Sequence, residues 1–289
     1  MPEAKIREWI NSRKEDIVKD LIRLVKIESI SKPEDEVYPF GQKCRDVLDE
    51  YSKMAEEMGL FAKNFDYACV GVGIGKEDTD NIADTIGIWT HADVVPVGEG
   101  WNYPPFEGVY ENGLVIGRGA QDNKCAVVAG LYILKCISEL EIPLKEKYIW
   151  FAGCSEECGM QDIDLYLENH LAPKLSLIAD CGFPVCIGEK KIEARNPETP
   201  VVKCLTDCYN RMTGKDSKPY VIGGSTYASK LPNAYPYGII LGGKEKIKAY
   251  LPEGHGDYHQ PDEAVDIDKL LEAMVIYVMS IIALDREVF

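Results

Sequence analysis

Apolar residues recur at helical spacing from Ile6 to Ile27 (Ile6, Trp9, Ile10, Ile17, Leu21, Leu24), with acids and bases between them, which predicts an amphipathic surface helix. A second helix is expected from about Gln42 to Met58, closed by Gly59 in the C-cap position. Phe61–Phe65 and Cys69–Ile74 read as strands, Asp78–Asn81 as a turn, and Ile86–His91 as a buried strand. From Ala92 to Asp122 the pattern is mostly aperiodic and rich in Gly and Pro, and loops this long in compact domains are usually functional. Then come a helix at Asn123–Leu140, a strand at Lys147–Ala152, a helix at Asp162–Asn169 and a strand at Leu175–Ala179. Strands alternating with helices predict an α/β sheet covered on both faces. The polar stretch Glu193–Pro200 reads as a linker. Beyond it we expect a helix at Val201–Met212, a turn-rich loop at Gly223–Tyr227, a short strand at Tyr237–Leu241 and a closing helix at Ile267–Leu284.

Composition narrows the class. The chain has 289 residues, 46% of them hydrophobic and 28% charged, which suits one large globular domain or two small ones. A formal net charge of −16 repels phosphate backbones and anionic lipid, so neither nucleic acid nor a membrane is expected as a partner. Met1–Glu15 is charged and carries no apolar signal core. The longest apolar run, Met274–Leu284, has eleven residues, well short of the roughly 20 that span a bilayer. A chain this long buries its own core without staples, and none of its ten cysteines forms a Cys-x-x-Cys pair. The thiols are therefore expected reduced and buried, in a reducing, cytoplasmic compartment.

Ligands and acid–base groups tend to stand where strands of an α/β sheet run out into loops. Four strand ends or loops here carry such residues. His91-Ala-Asp93 puts two side chains on the same side of the chain, so that Asp93 could fix the His91 tautomer; His91 could equally be a satisfied core residue. Asp122, in Gly117-Arg-Gly-Ala-Gln-Asp122, stands at the start of the next helix, where on its own it reads as an N-cap. Glu156 and Glu157 follow the strand ending near Gly153; they form either a solvated acidic loop or a pair held by cations. Asp180 ends the fourth strand, and His259 stands far downstream. Two histidines with several carboxylates suit hydrolytic zinc, or manganese or cobalt in its place. Competing motifs are weak: Gly71-Val-Gly-Ile-Gly75 lacks nucleotide-loop spacing, and no Gly-x-Ser-x-Gly or His-Glu-x-x-His occurs.

The ordered set His91-Ala-Asp93, Gly117-Arg-Gly119…Asp122, Glu156-Glu157, Asp180 and His259-Gln-Pro-Asp-Glu263 resembles the dinuclear zinc peptidases and deacylases, the group of acetylornithine deacetylase, succinyl-diaminopimelate desuccinylase and carnosinase-like dipeptidases. Asp180–Lys190 and Gly223–Ala234 are similar to the bacterial Xaa-His, or beta-Ala-Xaa, dipeptidases. The resemblance implies a three-layer α/β/α catalytic domain with a mixed, mostly parallel central sheet. It also implies two Zn²⁺ ions (Mn²⁺ or Co²⁺ as substitutes) and hydrolysis of small dipeptides. His91 and Asp180 would hold one ion, Glu157 and His259 the other, with Asp122 bridging. Asp93 would orient His91, Glu156 would be the general base, and the Asp122–Asn123 peptide would be cis.

Three departures modify that expectation. Cys125 replaces a usual Gly, and Ser229 replaces an expected Arg or Lys for which only Lys230 could substitute. Relatives insert a lid domain where this chain has only a short linker, 192–201, between 1–191 and 202–289. Residues 1–289 are thus expected to form a single catalytic domain, a monomer because relatives' dimer contacts usually involve the lid. The lid normally supplies an oxyanion-stabilising histidine and groups that hold the substrate carboxylate. Within 192–201 only Arg195 could fill either role. Impaired dipeptide hydrolysis is expected, with N-acyl-amino-acid deacylation or a non-catalytic metal-binding role as alternatives.

Overall fold

Six strands form the central sheet: β1 (Phe61–Phe65), β2 (Cys69–Gly73), β3 (Ile86–His91), β6 (Tyr148–Gly153), β7 (Leu175–Ile178) and β11 (Ala234–Pro236). Their spatial order is β1-β2-β6-β3-β7-β11. The β6–β3, β3–β7 and β7–β11 pairs are parallel, and β1–β2 and β2–β6 are antiparallel. The sheet is therefore mixed and mostly parallel. This computed structural model describes residues 3–32, 38–76, 81–190 and 195–289. The turn expected at Asp78–Asn81 and part of the linker (191–194) lie outside the described residues, apart from Asn81.

Alternation along the parallel strands divides the core. Ile86 and Ile88 of β3, with Trp150 and Ala152 of β6, join the large cluster under α1 (Glu3–Ser12), α2 (Lys14–Val25), α3 (Gln42–Glu57), α4 (Lys124–Glu139), α6 (Pro200–Thr213) and α8 (Ile267–Glu287). Trp89, Ile149 and Phe151 face the other way, into a smaller aromatic cluster under α5 (Gln161–Asn169), where the Trp89 and Phe151 rings stack at 4.0 Å. Both faces are covered, one far more thickly. No helix among the described residues is long and apolar enough to cross a membrane.

Several expected elements differ in detail. The predicted helix Ile6–Ile27 breaks at Arg13 into α1 and α2, because its two halves pack on different partners: α1 on α8, α2 on α4 and α3. The stretch Ala92–Asp122 contains a hairpin, β4 (Val109–Glu111) and β5 (Leu114–Ile116), turning through Asn112-Gly113 with both residues at positive φ. The expected strand Tyr237–Leu241 shrinks to β12 (Ile239–Ile240), which pairs β8 (Cys181–Gly182), while the sheet's edge strand β11 lies just before it. Two short strands, β9 (Cys186–Gly188) and β10 (Tyr220–Val221), pair with each other, and α7 (Lys244–Tyr250) and β13 (Ala264–Asp266) complete the order. All ten cysteines are free; eight are buried, but Cys158 is exposed beside Glu157 and Cys181 is partly exposed beside Asp180, because the loops that carry them lie at the mouth of a cavity.

The close fit of α4 on the sheet can be tested at Gly130, where an added Cβ would stand 2.3 Å from the Trp150 ring. Alanine favours helix, yet overpacking of this kind costs about 1–3 kcal/mol. Gly130→Ala is expected to lower the unfolding free energy in a denaturant titration, and a stabilised variant would contradict the packing described.

Candidate metal centre

The parallel strands end on one edge of the sheet, and the loops leaving that edge carry the acids and histidines. His91 is the last residue of β3 and pairs with Gly153, the last of β6. After β6 the chain makes a single 3-10 turn, Glu156–Cys158, that carries both glutamates. Asp180 follows β7 by two residues, in register with the end of β3. Asp122 enters from the side, just before α4, through a cis peptide to Asn123. His259 comes from the loop between α7 and β13.

These side chains meet. His91 Nε2 lies 3.1 Å from Asp122 Oδ1 and 3.8 Å from Asp180 Oδ1. His259 Nε2 lies 3.1 Å from Asp122 Oδ2 and 2.9 Å from Glu157 Oε1. Asp122 thus presents one oxygen to each histidine. It is not the N-cap: Asn123 holds that position, and no side chain caps the helix. Potential ligand atoms of His91, Asp122 and Glu157, and likewise of His91, Glu156 and Asp180, lie within 4.8 Å of one another. Atoms bound to one zinc at about 2.0–2.2 Å stand roughly 3.3 Å apart in a tetrahedron, so the spacings suit ion binding.

A second set of contacts holds the first. His91 Nδ1 faces the Asp93 carbonyl at 3.1 Å and its carboxylate at 3.4 Å. The fully buried Asp93 also accepts the backbone N–H groups of Glu156 and Glu157, at 3.2 and 3.1 Å, tying the glutamate turn to the histidine. Asp162 accepts from the backbone of Cys154 and Ser155 and from the Tyr227 hydroxyl. Gly153 is required beneath them: a Cβ there would stand 2.3 Å from Tyr227 Oη and 2.4 Å from Asp162 Oδ2. Asp162 and Tyr227 carry no sequence signature of this role; only the fold brings them under the loop.

Electrostatics records the crowding. Burial pushes the Glu156 carboxyl up to about 10, with Asp180, Asp93 and Glu157 adding to the rise and His91 opposing it. Burial likewise raises Asp180 well above the usual carboxylate range, with Asp122, Glu157 and Glu189 reinforcing and His91 opposing. Burial alone would raise Asp122 and lower His91, but their mutual bond, with His259 on one side and Asp93 and Asp180 on the other, holds Asp122 low and His91 high. Hydrogen bonds to Asp122 and Glu157 carry His259 up to about 10.

The cluster forms one wall of a cavity of about 780 Å³, whose far side carries Phe183, Tyr220, Ile222 and Ile240. Lys244 is the lysine or arginine among its lining residues. Its Nζ donates to Asp257 Oδ2 at 2.8 Å and lies over the Tyr258 ring, and nothing in the sequence marks it before α7 is seen to bring it to the cavity wall. Arg195 and Lys230, the cations expected to serve here, point elsewhere: the Arg195 guanidinium lies over the Tyr235 ring, and Lys230 pairs with Asp164. Each is drawn off by a nearer partner. Cys125 is accommodated, buried with its thiol donating to the Gln121 carbonyl at 3.1 Å.

Comparison with known proteins follows the same chemistry. Over 185 residues, 62% of this chain, it is 30% identical to "Putative dipeptidase YtjP" of Bacillus subtilis (strain 168), and covers 38% of that protein. Over 189 residues, 64% of this chain, it is 31% identical to "Putative dipeptidase SH1171" of Staphylococcus haemolyticus (strain JCSC1435), and covers 39% of that one. The chain thus spans about two fifths of the length of these relatives. The fold matches that of the di-peptidase Dug1p from Saccharomyces cerevisiae with a TM-score of 0.75 at 11% identity, over 98% of both chains. It also matches the M20 family metallo-carboxypeptidase Sso-CP2 from Sulfolobus solfataricus at 0.67 and 14%, over 93% of this chain and 98% of that one. A profile of Peptidase family M20/M25/M40 matches residues 87–283, and the chain belongs to that family of metallopeptidases.

Proposed function

We propose that this chain is the catalytic domain of a dinuclear, zinc-dependent dipeptidase, in which residues 1–191 and 202–289 form one unit around a short linker. The observation that carries the reading is the double engagement of Asp122, one oxygen toward His91 and the other toward His259. The 30–31% identity to proteins named as dipeptidases supports the substrate class. Ten free thiols support a reducing, cytoplasmic setting, and the shortness of the linker supports a monomer.

In this reading His91 and Asp180 would hold one ion and Glu157 and His259 the other, with Asp122 placed to serve both. When bound, such a pair supplies a nucleophile at neutral pH and polarises the scissile carbonyl. Glu156 is assigned as the base, to take a proton and pass it to the leaving amine; its carboxyl also stands within ligand distance of His91 and Asp180, and the variant below separates the two roles. Asp93 holds the Nδ1 side of His91, so that Nε2 faces the ion. With no lid to close over the cavity or add an oxyanion donor, turnover falls short of that of lidded relatives; loss of one donor costs about 10²–10³ in rate.

Ion binding must displace protons. Glu156 and His259 are pushed up to about 10, and Asp180 is raised above the usual carboxylate range, so at pH 7 Glu156 and His259 carry protons that an ion bound beside them would displace. The apparent affinity for zinc should therefore rise with pH up to about 10, where Glu156 and His259 titrate. Zinc titration by calorimetry at pH 7, in buffers of different ionisation enthalpy, should show net proton release; heats independent of the buffer would contradict the charge arrangement.

Glu156→Gln should retain two ions by elemental analysis and lose residual dipeptide hydrolysis by about 10²–10⁴. Loss of the ions in that variant would instead make Glu156 a ligand. Against a panel of dipeptides and of N-acetyl and N-succinyl amino acids, the wild-type chain should favour the dipeptides, slowly. Turnover equal to that of lidded relatives would refute the account of the missing lid.

A further inference from the structure

The second half of the site depends on a histidine carried by a loop, and loops hold position only where something buried fixes them. Strand β5 pairs with β13 in antiparallel register, Ile116 opposite Ala264, which sets Gly117 and Arg118 beside Glu263. The Gly117 N–H then donates to the Glu263 carbonyl at 2.8 Å. Both side chains at this junction are charged and almost completely enclosed, Arg118 at 1% exposure and Glu263 at 0%. Arg118 NH1 donates to Glu263 Oε2 at 2.6 Å.

The remaining side-chain bonds of the pair run to the site and to the loop after Asp93, where Arg118 also donates to the Pro96 carbonyl at 3.5 Å. Glu263 Oε1 accepts the backbone N–H groups of Gln121 and Asp122, each at 3.0 Å. Arg118 NH2 donates to the Val97 carbonyl at 3.1 Å and to the His259 carbonyl at 3.4 Å, and the guanidinium lies over the Trp101 ring. One oxygen of Glu263 thus grips the backbone of Asp122, while Arg118 grips that of His259 and the loop that follows Asp93. His91 and Asp180 are held differently: the sheet places His91, and the Asn123 side chain accepts from the His91 N–H at 3.4 Å and donates to the Ala179 carbonyl and to Asp180 Oδ1 at 3.1 and 2.9 Å.

We propose that Arg118 and Glu263 are positioning residues, a latch that fixes Asp122 against His259: the His259–Glu157 half of the ion pair, whose histidine stands on a loop, depends on it most, and the His91–Asp180 half, reached only through the shared Asp122, depends on it less. This rests on the two-ion reading above. Loss of a partner that orients metal ligands typically weakens an ion about 10–100-fold.

The test is zinc binding by the full chain, measured by calorimetry with a competing chelator. Wild type should bind two ions. Glu263→Gln keeps an acceptor for the two N–H groups but removes the charge that holds Arg118. It should weaken one of the two binding events at least about tenfold and the other, which reaches the latch only through the shared Asp122, distinctly less. Arg118→Lys keeps the pair's charge but cannot span Glu263, Val97 and His259 together, and should show the same selective loss to a smaller degree. If Glu263→Gln does not fold, Arg118→Lys decides. Two wild-type affinities, or equal weakening of both events, in a folded variant would overturn the latch and leave the two-ion reading standing. A wild-type chain that binds fewer than two ions would overturn both.

Discussion

Too many acids share too little water at the end of this sheet. Asp122, Glu156, Glu157 and Asp180 converge with two histidines on one edge, and the crowding raises Glu156 and His259 to about 10 and pushes Asp180 and His91 up from their ordinary values as well. An arrangement of this kind is costly to fold around and stabilises nothing on its own. It makes sense as a receptor whose stability is completed by divalent ions. The rest of the molecule can be understood as the scaffold that tolerates this crowding.

That scaffold works in layers. The parallel strands fix His91 and the approach of Asp180 and Glu156-Glu157 through their register, with no freedom left to the backbone. Buried acids then hold the loops: Asp93 takes the glutamate turn, Asp162 the residues before it, and Glu263 the approach to Asp122. Each of these accepts backbone N–H groups that would otherwise be stranded in a dry interior. Membership of Peptidase family M20/M25/M40 accords with the design, and Lys244 lines the cavity beside the cluster.

Much of this could be read along the chain, and the failures have physical causes. Apolar periodicity located the main strands and helices because each buries a continuous stripe, as in β3 and α8. It missed the β4–β5 hairpin, whose three-residue strands are too short to show alternation, and the break at Arg13, which depends on two packing partners rather than on local preference. Short-range spacing exposed His91 and Asp93 as a pair. Asp122 taken locally looked like a cap, and its distant partners His91 and His259 draw it inward. Lys244, Asp162 and Tyr227 were silent, since their roles arise from contacts across more than sixty residues or from a cavity no window of sequence contains.

Diffraction from crystals of the chain soaked in zinc, recorded at the zinc edge, examines the central claim most directly. The account predicts two anomalous peaks about 3.5–4 Å apart, one beside His91 and Asp180, the other beside Glu157 and His259, with Asp122 between them. A single peak, or none within reach of Asp122, would contradict it.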